Sequence, residues 1–273
     1  MTSARAIITR PAAQAQAWVH ALQAQGLQAV ALPLIDIGPV DDLQAVQALH
    51  KRIDSFDVCM CVSSNAAHYF FASKKAVAFI DSAQAATKII ADKKPETLRF
   101  WATGAGTVRA LQDCSVDPQQ IDAPGQDAAQ WDSEHLWHRV QAQITRGKKV
   151  LILRGEDVGT PSASRDWLAQ QIVTKGGSVE VATVYQRRPP HWQAEQSAMA
   201  AQLAASNPVW VFSSSQAVAH LMQLLPAQNW SNARCVATHP RIAQAARDAG
   251  FGVVCMSRPG LDDVAITLKS LHA

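Results

Sequence analysis

Tyr185 closes a β-branched run, SVEVATVY, and Arg187 and Arg188 follow it directly. A phenol beside cationic groups suits donation of a proton or a hydrogen bond to a substrate. The plainer account is an aromatic packed over the edge of a strand. Elsewhere, short apolar runs end in residues of another kind: Arg10; Ser63, Ser64 and Asn65; Thr103, Gly104 and Thr107; Arg154; Ser213 and Ser214; Thr238 and Arg241. In open α/β sheets ligands bind at the carboxyl ends of strands, where loops meet helix N-termini. Hydroxyls, arginines and free backbone N–H groups gathered there suit carboxylates or phosphates, because a helix start carries roughly half a positive charge. At any single position the same Ser or Thr serves equally well as a helix cap, worth about 1 kcal/mol. Recurrence at several strand ends in both halves of the chain favours the binding role.

Other motifs carry less. TGAGT at Thr103 has Gly104 and Gly106 but Arg109 where a dinucleotide fingerprint needs its third small residue, so a tight strand-to-helix turn is the better reading. No GxxxxGK[ST], GxSxG or HExxH occurs, which disfavours P-loop, hydrolase and zincin chemistry. His135 and His138 stand three apart in DSEHLWHRV, after the helix-start residues Asp132 and Ser133 and beside Trp131, Leu136 and Trp137. No third ligand accompanies them at metal-site spacing, so no metal is expected.

The elements that position these residues read as βα units. A first unit has the strand AIITR, a helix from Pro11 to about Gln25, the stop Gly26 and a second strand, LQAVALPLI. Pro at the start and Gly past the end follow the asymmetry of helix termini. Its echo is KKVLILRG, the helix SASRDWLAQQIVTK, the stop Gly176 and Gly177, and SVEVATVY, with Arg154 in the place of Arg10. A second unit, DVCMCVSSNAAHYFF, is echoed by PVWVFSSSQAVAHLM, and a third, FWATGAGTVRAL, by CVATHPRIAQAA. The order is A, B, C and again A, B, C, as a duplication leaves it. Pro-punctuated polar segments, PLIDIGPVDD from Pro33 and QRRPPH from Gln186, follow each A unit as linkers. The chain divides either in tandem near 125–147 or by leaving one lobe after 33 and returning after 190.

Composition bounds the function classes. A length of 273 residues favours two domains against a prior of about 100–200 residues each. With 48% apolar and 17% charged residues the chain is globular, and a net charge of +3 without a basic tail gives no footprint for nucleic acid or a membrane surface. Five cysteines, Cys59, Cys61, Cys114, Cys235 and Cys255, form no CxxC pair. Reduced thiols and a cytoplasmic setting are expected. The N-terminus shows no signal-peptide core, and no apolar run reaches membrane-spanning length.

TRP at Thr9, PLI at Pro33, SSNA at Ser63, LILRG at Leu151, VYQR at Val184 and PRIAQAAR at Pro240 resemble, in their order and spacing, the uroporphyrinogen-III synthase family, from Arg5 to about Leu271. The resemblance implies an α/β fold of two Rossmann-like parallel-sheet domains, the first discontinuous (1–34 with 191–273), the second inserted (40–184), joined through a two-stranded β linker (35–39 and 185–190). It implies cyclisation of linear hydroxymethylbilane with loss of water and inversion of the last pyrrole ring, through a spiro intermediate in the cleft between domains. It implies no cofactor and no metal, a monomer, a polycarboxylate substrate, and transient contact with the preceding pathway enzyme. Tyr185 falls on the family's VY position as the group that assists loss of the hydroxyl; Ser63, Ser64, Thr103, Thr107, Ser213 and Ser214 match its hydroxyl-bearing loops. THPR at Thr238 departs from the family's G-x-T-T-like turn and substitutes Arg241 as a carboxylate partner; Arg165 is a loose match to its GG-R loop. Two competing classes are a two-lobed small-anion binder without catalysis and a nucleotide-dependent Rossmann enzyme.

Overall fold

Val58–Cys61 (VCMC) and Val209–Phe212 (VWVF) are apolar at every position and buried at every position. A strand inside a parallel sheet with helices on both faces requires that pattern. The computed structural model describes residues 5–78, 98–125, 132–158 and 167–271. Its contacts divide the chain into two units, Met1–Ile37 with Arg188–Ala273, and Gly38–Arg187.

The first unit holds strands β1 (Ala6–Ile8), β2 (Ala29–Ala31), β9 (Val209–Phe212), β10 (Arg234–Ala237) and β11 (Val253–Met256), in the order β11-β10-β9-β1-β2. All four pairings are parallel. Its helices are α1 (Ala12–Ala24), α7 (Ala194–Ala205), α8 (Ser215–Leu224), α9 (Pro240–Asp248) and α10 (Leu261–Ser270). Alternation splits each strand between two cores. Ile7, Trp210 and Phe212 pack with Val218, Leu221 and Ile242 on one face, while Ile8, Val209 and Val211 pack with Val19, Leu22 and Leu268 on the other. Trp210 is fully buried, and truncating such a ring to Ala costs about 3–5 kcal/mol. Gly26 ends the α1 turn at φ 79°, a conformation glycine adopts without steric cost.

The second unit holds β3 (Asp36–Pro39), β4 (Val58–Cys61), β5 (Arg99–Ala102), β6 (Ile121–Asp122), β7 (Lys149–Asp157) and β8 (Ser178–Arg188), in the order β3-β8-β7-β4-β5-β6. Its helices are α2 (Leu43–Lys51), α3 (Ser64–Ala78), α4 (Ala105–Asp113), α5 (Ser133–Val140) and α6 (Trp167–Thr174). Met60, Trp101 and Ile152 pack against Leu136, Val140, Leu168 and Ile172 from α5 and α6. α3 covers the opposite face of β4 and β7, where Cys59, Cys61, Leu151 and Leu153 are fully buried.

The two sheet orders correspond strand for strand: β11-β10-β9-β1-β2 with β6-β5-β4-β7-β8. The chain repeats A, B, C, but each sheet combines copies. The first A strands, β1 and β2, join the second B and C strands, β9 and β10. The second A strands, β7 and β8, join the first B and C strands, β4 and β5. The Pro-punctuated segments are strand at both places: β3 occupies Asp36–Pro39, and β8 continues through Gln186 and Arg187 to Arg188, with β3 as its sheet neighbour.

Candidate active site

The register of β8 decides where the tyrosine goes. β7 and β8 pair regularly to Arg154 opposite Thr183, and the next partner of Gly155 is Tyr185, so Val184 is the extra residue of a bulge. A bulge re-aims the side chains beyond it, and both Val184 and Tyr185 are only 2% exposed. The ring of Tyr185 lies over Gly155. A β-carbon at that position would meet the ring's Cζ at 2.1 Å, which leaves glycine as the residue that fits. Tyr69 of α3 also stacks on it, with ring centroids 5.8 Å apart.

The phenol oxygen meets two polar groups. Arg187 donates to it through Nη1 at 3.1 Å, and Ser63 Oγ lies 3.2 Å away. Arg187 is itself held by Asp157, its Nε donating to Oδ1 at 2.5 Å. The side chains of Arg187 and Asp157 are about one-third exposed, 33% and 32%. Ser63 precedes α3 and accepts from the Ala66 N–H at 3.2 Å, so it caps this helix and touches the tyrosine at once. Ser64 and Asn65 open α3 and are half-buried.

The neighbouring strand end, after β5, adds the rest of the expected set in this unit. Thr103 is half-buried and its Oγ1 points to the Val62 carbonyl at 3.5 Å. Gly104 is the N-cap of α4 with extended backbone. Thr107, 4% exposed, lies inside its first turn. Ser64 Oγ stands 3.1 Å from where a β-carbon on Gly106 would be, so the starts of α3 and α4 lie side by side. Two neighbouring helix starts and the serines at the head of α3 gather backbone N–H groups and hydroxyls of the kind that suit an anion. Arg154, half-buried in β7, completes the group from the strand between β4 and β8.

The first unit gathers the remaining expected residues at the same edge of its own sheet, where several of them bond within that unit. Thr9 is fully buried and donates to the Val211 carbonyl at 2.7 Å. Arg10 donates to Gln14 Oε1 at 3.2 Å and lies 4.0 Å over the Trp18 ring; burial lowers its guanidinium below the ordinary value. Ser213 follows β9, and Ser214 caps α8, accepting from the Gln216 N–H at 3.2 Å. In THPR the cap is His239, whose Nδ1 accepts from the Arg241 N–H at 3.1 Å, while the Arg241 side chain is exposed.

Gly155, Asp157 and Tyr69 are site residues that reading the sequence missed. The tyrosine pair had a signal, since Tyr69 and Tyr185 are the only two in the chain. Gly155 and Asp157 had none, because their meeting with β8 depends on a bulge. Arg165 and Trp131 lie outside the described residues. Asp132 caps α5 by accepting from the His135 N–H at 2.9 Å, and the same Oδ1 meets His135 Nδ1 at 2.8 Å. Hydrogen bonds from His135, backbone first, hold the Asp132 carboxyl below the usual carboxylate range.

The five cysteines are free thiols. The bond to Cys59, together with burial, raises the Cys61 thiol well above the ordinary value, and burial pushes Cys235 up to about 12. Both are therefore inert as nucleophiles. A cavity of about 490 Å³ elsewhere in this unit is lined by Asp41, Asp42, Glu156 and Glu180, with Arg52 ion-paired to Glu180. That excess of carboxylates repels a polyanion. Among the described residues no helix is long and apolar enough to cross a membrane.

Two parallel α/β sheets with helices on their faces, each with hydroxyls and helix starts at its strand ends and one with a hydrogen-bonded tyrosine there, define an α/β class that binds small molecules at the carboxyl ends of its strands. Residues 16–265 match the family described as uroporphyrinogen-III synthase HemD. The chain belongs to the uroporphyrinogen-III synthase family, cyclising lyases of tetrapyrrole and heme biosynthesis. Its fold is similar to that of uroporphyrinogen-III synthetase from Helicobacter pylori, at 15% identity and a TM-score of 0.57, covering 98% of this chain and 99% of that one. It is also similar to a mutant uroporphyrinogen III synthase from Thermus thermophilus, at 14% identity and a TM-score of 0.52, covering 98% and 97%. At such identities the likeness speaks for the fold.

Proposed function

We propose that the chain converts linear hydroxymethylbilane to uroporphyrinogen III, with loss of water and inversion of the last pyrrole ring through a spiro intermediate. The observation that carries this reading is the Tyr185 hydroxyl, held between Ser63 and Arg187 beside the start of α3. Tyr185 supplies the proton that lets the substrate's hydroxyl depart: the C–O bond breaks, its electron pair leaves with water, and a pyrrole-stabilised cation remains. The ring-closing carbon later loses a proton, which restores the phenol. Such general acid assistance contributes about 10²–10⁴-fold. Positioning contributes more, since holding reacting ends together reaches effective molarities of about 10⁵–10⁸ M.

That ranking suits a substrate which closes unaided to the uninverted isomer. The protein's task is to hold the one productive conformation. Substrate carboxylates bind at the starts of α3, α4, α8 and α9, through Ser64, Asn65, Thr103, Gly104, Thr107, Ser213 and Ser214, and on Arg10, Arg154 and Arg241. Incubation with enzymatically generated hydroxymethylbilane, followed by separation of the type I and type III products, tests the reading. Predominant type III is expected; type I alone, formed at the unassisted rate, would sink it.

A further inference from the structure

Tyr185 is only 2% exposed, whereas Ser63, 3.2 Å from its hydroxyl, is half-buried at the head of α3. Donor and acceptor arithmetic allows this contact to run from the phenol to the serine. A guanidinium only donates, so Arg187 takes a lone pair of the phenol oxygen and leaves the phenol's single proton for another acceptor. Ser63 Oγ is the acceptor within reach at 3.2 Å, in a contact whose geometry lets either atom donate. It has two lone pairs, and the Ala66 N–H uses the other. With both filled, the serine's own O–H is the group left to point out of this network.

We infer that Ser63 is the residue that meets the substrate's departing hydroxyl, relaying the proton of the buried Tyr185, while Arg187, clamped by Asp157, sets the direction of the relay. This rests on the reading of Tyr185 as the acid. In the step, the Tyr185 O–H bond breaks as Ser63 Oγ takes the proton, and the Ser63 O–H bond breaks as its proton passes to the leaving oxygen. The C–O bond then breaks with its electron pair on water. The phenolate left behind accepts from Arg187 in a charge-assisted hydrogen bond, and the proton released at ring closure returns along the same path. Arg187 and Asp157 are positioning residues. The seat on Gly155 and the stack on Tyr69 hold the phenol in place beside Ser63.

The test is a double-mutant cycle on single-turnover rates, with a proton inventory in mixtures of H₂O and D₂O. Tyr185→Phe and Ser63→Ala are each expected to slow the chemical step by roughly ten- to a hundredfold with KM within about threefold, and the double variant to be no slower than either alone. Ser63→Thr, which keeps the hydroxyl and the cap, restores most of the rate, and this variant carries the test if Ser63→Ala folds poorly. The native protein gives a curved inventory, two protons being in flight; Ser63→Ala gives a straight one. Full turnover in Tyr185→Phe would sink the acid assignment and the relay with it. Additive losses in the double variant, or a straight inventory in the native protein, would overturn the relay alone and leave Tyr185 acting directly.

Discussion

The same strand plan is used twice, and the two edges it creates differ in what they leave available. In the first unit the A strands end in Thr9 and Arg10, and both are engaged by their own unit: Thr9 by the Val211 carbonyl, Arg10 by Gln14 and Trp18. Ser214 and His239 serve as caps. In the second unit the serine that caps α3 also reaches a tyrosine, which an arginine and an aspartate support in turn. The cause is the length of one strand. β2 is three residues long and ends at Ala31, whereas its counterpart β8 runs eleven residues, past a bulge that carries Tyr185 and Arg187 back over β7. The strand plan occurs twice, and the longer strand of one copy brings a tyrosine and an arginine to its edge.

The sharpest way to break this contrast is to unseat the tyrosine. Gly155→Ala puts a methyl where the Tyr185 ring lies. It is expected to lower turnover at least about a hundredfold, as misplacing a reacting group by an ångström does, and to cost about 1–3 kcal/mol in urea denaturation, as overpacking does. Next comes a matched pair. Ser63→Ala and Ser214→Ala each remove one helix cap and should lose about 1 kcal/mol of stability alike. Turnover should fall much further for Ser63→Ala, because only that serine touches Tyr185. Equal losses would place the two edges on the same footing.

Smaller effects come from the charged periphery. Arg241→Ala removes an exposed cation near the start of α9 and is expected to weaken product binding by about threefold at low ionic strength and by less at high salt, since exposed pairs are screened. Salt-independent loss would mean packing. The smallest effect is on acid stability. The Asp132 carboxyl is held below its ordinary value by His135, so its contribution is fully present above the unfolded value, about pH 4, and disappears as pH falls through the lowered folded value. The melting-temperature gap between the native protein and Asp132→Asn should therefore close on acidification. A gap that persisted below that window would show that the cap acts without its charge.

Much of the scaffold was legible. VCMC and VWVF read as buried strands, Gly26 and Gly176 as helix stops, Asp132 as a helix start, and SSN and SSS as strand-end turns, because each is a local rule of chain geometry or hydrogen bonding. The repeat order A, B, C was legible too. What was not legible is the partner of each residue. QRR read by its composition as a polar linker, and only the family resemblance implied a β linker there; it is paired strand. Gly155 looked like the end of LILRG and Asp157 like a loop acid; their importance arises only opposite Tyr185 and Arg187. THPR read as a departure that substitutes Arg241 as a carboxylate partner, and its histidine proves to be a cap.

Periodicity, breakers and caps act within a few residues, so the sequence alone determined which segments become strands and helices, that they occur in two copies, and which residue types sit at strand ends. Which copy pairs with which, and which strand end holds the bonded tyrosine, depends on long-range pairing. A one-residue bulge in β8 exchanges the face a side chain takes, and no local rule announces it. Only the tertiary structure decided that Ser63, Tyr185, Arg187 and Asp157, widely separated in the chain, form one hydrogen-bonded line.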